Sequence, residues 1–145
     1  MRVKEYLRQV QKLDIMIRQR QQQLDELRAT VLSATDPSRE HVQGGALPGD
    51  EKIVAHFARV TELEHEVTAL VGQYTDLKHR IIGEIQSLPD VRFMDILFRR
   101  YIQYQSLEEI ACGIHYSYRQ ICRLHGAALL EFERWHTMSH FPVVC

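Results

Sequence analysis

Between Ser117 and Arg123 the chain reads SYRQICR, and four of these side chains suit the edges of nucleic-acid bases. Arg119 and Arg123 can each donate two parallel N–H bonds to guanine O6 and N7, and Gln120 can pair its amide with adenine N6 and N7. Tyr118 adds a ring that stacks or a hydroxyl that bonds phosphate. Such groups read sequence when a rigid element carries them into the major groove, which is wide enough for an α-helix. These four are the candidate base-reading residues, and Arg99, Arg100, Ser106, Ser117 and His125 are the candidate contacts to the phosphate backbone.

The helix that must carry them has its start written in the chain. Ser117 followed three residues later by Gln120 is a capping box, in which the serine hydroxyl and the partner side chain satisfy free backbone N–H groups. Ser106 and Glu109 form a second box 11 residues earlier. Two helices therefore begin at helix-turn-helix spacing. The first is expected to run from Leu107 to about Cys112, where Gly113 offers a left-handed stop and Ile114-His115-Tyr116 turns into the second. Leu107, Ile110, Ala111, Ile114, Ile121, Leu124, Ala128, Leu129 and Phe132 are the expected inward positions. Trp135 and the apolar tail Phe141-Pro142-Val143-Val144 are expected to cover part of that core, the tail having a partner-binding peptide as its alternative role.

Other chemistries find less support. His115, His125, His136 and His140 lie in the C-terminal third with Cys122 and Cys145, but no paired Cys or His spacing suits a zinc site, so no metal or other cofactor is expected. No nucleophile elbow, phosphate-binding glycine loop or H-E-x-x-H motif occurs. The chain does not read as an enzyme.

The elements that precede this unit follow a different pattern. Val3, Tyr6, Val10, Leu13, Ile17, Leu24, Leu27 and Val31 alternate three and four apart with Arg20 in one seam position, which predicts one long helix with heptad packing. Residues 35–50 hold Pro37, Pro48, Gly44, Gly45 and Gly49 among polar residues and predict a flexible loop. A second seam follows through Ile53, Val60, Val67, Tyr74, Ile81 and Leu88, with Leu63, Leu70 and Leu77 between. The two helices are expected to fold back into an antiparallel hairpin over residues 1–88. Phe57, Val71, Ile82 and Ile85 widen its stripe, either for a second copy or for the C-terminal unit. Pro89 then starts a third helix with Val91, Met94, Leu97, Phe98, Tyr101 and Ile102 on its apolar face. The fold class is thus all-α: a long antiparallel coiled-coil hairpin, a three-helix helix-turn-helix domain over residues 89–135, and a tail over 136–145.

Composition bounds the partners. In 145 residues, 18 Lys and Arg stand against 19 Asp and Glu, for a formal charge of -1. Residues 89–145 hold six Arg and six acidic residues. So neutral a reading head is expected to bind DNA modestly and in a salt-sensitive way, which gives the hairpin a purpose: two joined heads gain from effective concentration. Three cysteines make no disulfide framework, and no apolar run approaches a bilayer span or a signal peptide. A reduced, cytoplasmic setting without membrane contact is expected.

The segment SLEEIACGIHYSYRQICRLHGAALLEF resembles region four of bacterial primary sigma factors. Together with the upstream LFRRYIQ it is still more similar to small phage-encoded transcriptional regulators of the RinA/ArpU type. The resemblance implies that Ser117 is the cap, that Tyr118, Arg119, Gln120 and Arg123 face DNA, and that Ile110, Ala111, Ile121 and Leu124 pack. Ile114-His115 departs from the family pattern, where glycine is common in the turn. It implies a regulator of phage or prophage late genes, with host RNA polymerase as a further partner. Sequence-specific recognition of double-stranded DNA by a homodimer or higher homo-oligomer is therefore expected. The rival expectation is a DNA-recognising packaging protein, such as a small terminase-like subunit whose hairpins build a ring.

Overall fold

The structure, a computed structural model, describes residues 2–34 and 48–136, with side chains for 2–30 and 51–136. These residues are all-helical: α1 (Arg2–Ala34), α2 (Pro48–Gln86), α3 (Val91–Leu97) continued by a π-helical turn (Phe98–Ile102), α4 (Leu107–Ile114) and α5 (Tyr118–His136). No strand occurs among them. α2 begins at Pro48, inside the stretch expected to be a loop, because proline suits the first turn of a helix. The remainder of that expected loop and the apolar tail lie outside the described residues, as does the side chain of Val31.

Packing divides the chain into two compact units, Met1–Leu13 with Tyr74–Cys145, and Asp14–Gln73. The division expected at residue 88 is therefore displaced: the ends of α1 and α2 belong with the C-terminal helices. Their main core joins Val3, Tyr6, Leu7 and Val10 of α1, Ile81, Ile85 and Leu88 at the end of α2, Leu97, Tyr101 and Ile102, and Ala128, Leu129 and Phe132 of α5. Heptad reading identified Val3, Tyr6 and Val10 but passed over Leu7, which is fully buried. Of the four stripe-widening residues, Ile85 is fully buried here and Ile82 packs against the same core. The Tyr6 hydroxyl donates to the Glu84 carboxylate, 3.0 and 2.9 Å from its two oxygens. Burial first and that carboxylate second push the phenol pKa up, so it stays protonated.

The turn after α2 uses local bonds. Ser87 N–H donates to Gly83 O and Leu88 N–H to Ile85 O, both at 3.1 Å. Asp90, not Pro89, then caps α3: its carboxylate accepts from Arg92 N–H at 2.9 Å. The Arg92 guanidinium first, and that backbone bond after it, hold the Asp90 pKa below its ordinary value. The next helix corrects the expected apolar face. Val91 is 70 % exposed, whereas Ile96, absent from that face, is fully buried. Ile96 is buried because it packs with Ile110, Ala111 and Ile121 rather than on the main core, and a π turn follows it, in which Gln103 N–H reaches back five residues to Phe98 O at 3.1 Å. One extra residue per turn moves the buried pair Ile96 and Leu97 forward to Tyr101 and Ile102, a spacing of five rather than four.

In the Asp14–Gln73 unit, α1 and α2 are linked by ion pairs between Arg20 and Glu66 at 3.6 Å and between Arg28 and Glu64 at 2.6 Å. Leu24 is buried, while Ile17, Leu27, Ile53, Val60, Leu63, Val67 and Leu70 are half-buried. Phe57 and Val71, the other two stripe-widening residues, remain 53 % and 42 % exposed. No helix among the described residues is long and apolar enough to cross a membrane.

Candidate nucleic-acid interface

α4 and α5 stand on a small core of their own. Ile96 of α3, Ile110 and Ala111 of α4 and Ile121 of α5 are its buried members, and Leu107, Ile114 and Leu124 pack around them. All nine residues expected to face inward along α4 and α5 do so, six of them buried and three half-buried.

Both capping residues act as expected. Ser106 Oγ accepts from Glu109 N–H at 3.1 Å. At α5 the box is reciprocal: Ser117 Oγ accepts from Gln120 N–H at 3.2 Å, and Gln120 Oε1 accepts from Ser117 N–H at 3.1 Å. Ser117 Oγ–H also lies 3.2 Å from the same Gln120 oxygen. These bonds fix the first turn of α5. They also occupy both lone pairs of Gln120 Oε1, so the amide lacks the acceptor that a bidentate adenine contact needs. The Gln120 side chain is thus part of the cap of α5.

The turn between the helices differs from expectation. Gly113 lies within α4, which continues to Ile114, and His115 is the left-handed C-cap with φ 61° and ψ 37°. A non-glycine residue there is uncommon, though His is among the types that tolerate it. Gly113 serves another purpose: a Cβ at that position would stand 3.3 Å from Arg99 Nη1, so the missing side chain gives the guanidinium room beside the last turn of α4.

The other candidate residues separate into three groups. Tyr118, Arg119 and Arg123 are exposed along the first turns of α5. Arg119 and Arg123 lie one helical turn apart on one face. Neither forms an ion pair among the described residues, whereas Arg18, Arg20, Arg28, Arg92, Arg99 and Arg134 all do. The Tyr118 phenol pKa is raised, first by its hydrogen bond with Cys122 and also by the charges of Cys122 and Glu108.

Arg99 and Arg100 are engaged within the chain. Arg99 Nε donates to Asp95 Oδ1 at 2.9 Å, and Arg100 Nη1 donates to Gln105 O at 2.9 Å. A phosphate would have to share or displace these partners.

His125 is a correction. Expected at the surface as a backbone contact, it is 7 % exposed, with Nε2 2.9 Å from the Tyr101 hydroxyl and the two rings stacked at 5.8 Å. Burial, reinforced by Lys4, Arg100 and Arg8, pushes its pKa down to about 4. A neutral imidazole inside the core cannot meet a phosphate. Trp135 is the opposite correction: it is 51 % exposed rather than covering the core, and its indole N–H donates to Glu131 at 3.2 Å.

Tyr116, which sequence reasoning passed over, is exposed immediately before the Ser117 cap. An aromatic just before a cap ordinarily packs back onto the helix as a staple, so no local signal marked Tyr116 as exposed. No cluster of three His, Cys, Asp or Glu side chains suited to a metal ion occurs among the described residues. Comparison with models of protein families, with curated proteins and with solved structures gave no match.

Proposed function

We propose that this chain is a sequence-specific double-stranded DNA-binding regulator of transcription, not an enzyme, and that α4 and α5 form a helix-turn-helix with α5 as its recognition helix. The carrying observation is the pair Arg119 and Arg123: two exposed guanidiniums, outside any ion pair among the described residues, on the reciprocally capped start of α5. Guanine edges and phosphates are the groups such a pair takes. In this reading Tyr118, Arg119 and Arg123 form the reading surface, and Gln120, whose side-chain oxygen lies on the Ser117 cap, supports them.

In this reading the Asp14–Gln73 unit is an antiparallel coiled-coil hairpin that joins two copies, offsetting the weak electrostatics of a near-neutral head. The resemblance to sigma region four and to RinA/ArpU-type regulators supports phage or prophage late genes as targets, host RNA polymerase as a further partner and the cytoplasm as the setting.

Footprinting on the surrounding genome at two salt concentrations tests the reading. A protected site that weakens at the higher salt and disappears in the Arg119→Ala/Arg123→Ala variant is the expected result. The absence of any protected site ends it. The exposed Phe57 and Val71 also fit a packaging protein that assembles rings, and a ring in place of a dimer in sedimentation analysis favours that rival.

A further inference from the structure

α2 carries two seams. The first, through Ile53, Val60, Leu63, Val67 and Leu70, is half-buried. One position round the helix, Val54, Phe57, Thr61, Glu64, Thr68 and Val71 follow at alternating spacings of three and four, the same 3.5-residue period. On this second seam Val54 is 67 %, Phe57 53 % and Val71 42 % exposed. Thr61 and Thr68 donate their hydroxyls to Phe57 O and Glu64 O at 3.0 and 2.8 Å. Burying them therefore strands no hydroxyl donor. Glu64, the one charge in the stripe, is bonded to Arg28 at 2.6 Å.

Between Phe57 and Val71 the stripe runs apolar, threonine, glutamate, threonine, apolar in either direction about Glu64, and Val54 lies beyond this stretch. Phe57 stands seven residues before it and Val71 seven after, with Thr61 and Thr68 three before and four after. A two-fold contact uses one patch twice, so residue i must suit residue j and j must suit i. This stripe meets that condition, which an unrelated partner helix would not require.

We infer that two copies associate through this seam, α2 against the partner's α2 in antiparallel sense, with the two-fold axis at Glu64. Phe57 packs on the partner's Val71, and Thr61 meets the partner's Thr68. At the axis the two glutamates approach each other, and the Arg28 of each copy supplies the compensating charge, so the cluster is neutral. The inference deepens the reading of the Asp14–Gln73 unit as an oligomerisation element and identifies its partner as a second copy in a stated register.

The test is a charge-swap series on the full chain, without DNA, followed by sedimentation equilibrium, with helix content checked by circular dichroism. Phe57→Lys and Val71→Glu are each expected to weaken dimerisation roughly a hundredfold, since each change strikes the interface twice. The Phe57→Lys/Val71→Glu double variant is expected to recover about tenfold or more over either single one. Within one chain the two positions are about 21 Å apart along the helix, so recovery arises only across the two-fold. A monomeric or ring-forming wild-type protein overturns the inference, as does a dimer indifferent to Phe57→Lys or a double variant no better than the singles. A dimer that obeys the series yet leaves no footprint sustains this interface and removes the DNA reading.

Discussion

The two units are built from the same helical vocabulary and reach different depths of burial. Among the described residues, the nine largest fully buried side chains all belong to the unit of Met1–Leu13 with Tyr74–Cys145: Phe132, Leu7, Ile81, Ile85, Ile96, Leu97, Ile110, Ile121 and Val10. The Asp14–Gln73 unit has Leu24 as its buried residue among those described, at 3 % exposure. Val10 and Val60 both occupy heptad seams, yet Val10 is sealed and Val60 half-buried. Two helices can cover only one side of each other, and a dry interior needs a third and fourth element. The first unit contains those elements, and the second carries an apolar stripe suited to receiving them from elsewhere.

Core truncation should separate the two most widely. Phe132 is fully buried among α1, α2, the π turn and α5, so Phe132→Ala is expected to cost about 3–5 kcal/mol. Leu24→Ala, made in a two-helix strip where solvent can enter the vacated space, should cost about 2 kcal/mol, the low end for leucine. Urea unfolding monitored by circular dichroism measures both. Equal losses would mean that the strip has a closed core of its own.

Acid should come next in size, acting on the first unit through His125. Its ordinary pKa is 6.5, and in the folded chain it lies near 4. Above 6.5 the imidazole is neutral in both states and pH has no effect through it. Between 6.5 and 4 the unfolded chain takes up a proton that the buried ring refuses, so stability falls as pH falls. At pH 5 the loss is on the order of 2 kcal/mol. His125→Gln, which can still bond to the Tyr101 hydroxyl, should remove this component of the slope. A variant that retains the full difference between pH 7 and pH 5 would place the acid sensitivity elsewhere.

The sequence showed the helices and the starts of α4 and α5 because heptads and capping boxes are local signals. Leu7 and Ile96 were missed because their burial depends on what lies beside the helix: for Leu7 a C-terminal core distant in sequence, for Ile96 the small core formed with α4 and α5. His125 was misplaced on residue type: it stands four residues after Ile121 and three before Ala128, on the buried face of α5, but an imidazole reads as a surface group. Tyr101, 24 residues away, gives it an interior partner. The start of α5 was more legible: Tyr118, Arg119 and Arg123 are exposed on its first turns, after the Ser117 cap. That Gln120 spends its acceptor on the cap shows only in the side-chain geometry.

Local order at that face should yield a smaller effect. Ser117→Ala removes the acceptor of the Gln120 N–H and frees the Gln120 side chain, and it is expected to cost about 1 kcal/mol in thermal or urea unfolding. Under the proposed DNA-binding function, Gln120→Ala should lower affinity for all DNA sequences alike, by loosening the first turn, while Arg119→Ala relaxes preference at one base position. A Gln120 variant that changes preference at a particular adenine would return it to the reading surface.

The smallest effect is expected where the second unit relies on exposed charge. Arg28 and Glu64 form a short ion pair, but their side chains retain 47 % and 46 % of their accessibility, so water and salt compete for both. Arg28→Ala should therefore cost only a few tenths of a kcal/mol in dilute protein, and less still in high salt. The cost should grow with protein concentration. Once two copies meet at Glu64, the paired carboxylates lose water and depend on Arg28 for neutrality, so its removal leaves two like charges facing each other. Unfolding followed across a wide range of protein concentration distinguishes the cases: a constant small penalty describes an ordinary surface pair, and a rising one places Arg28 at a contact between copies.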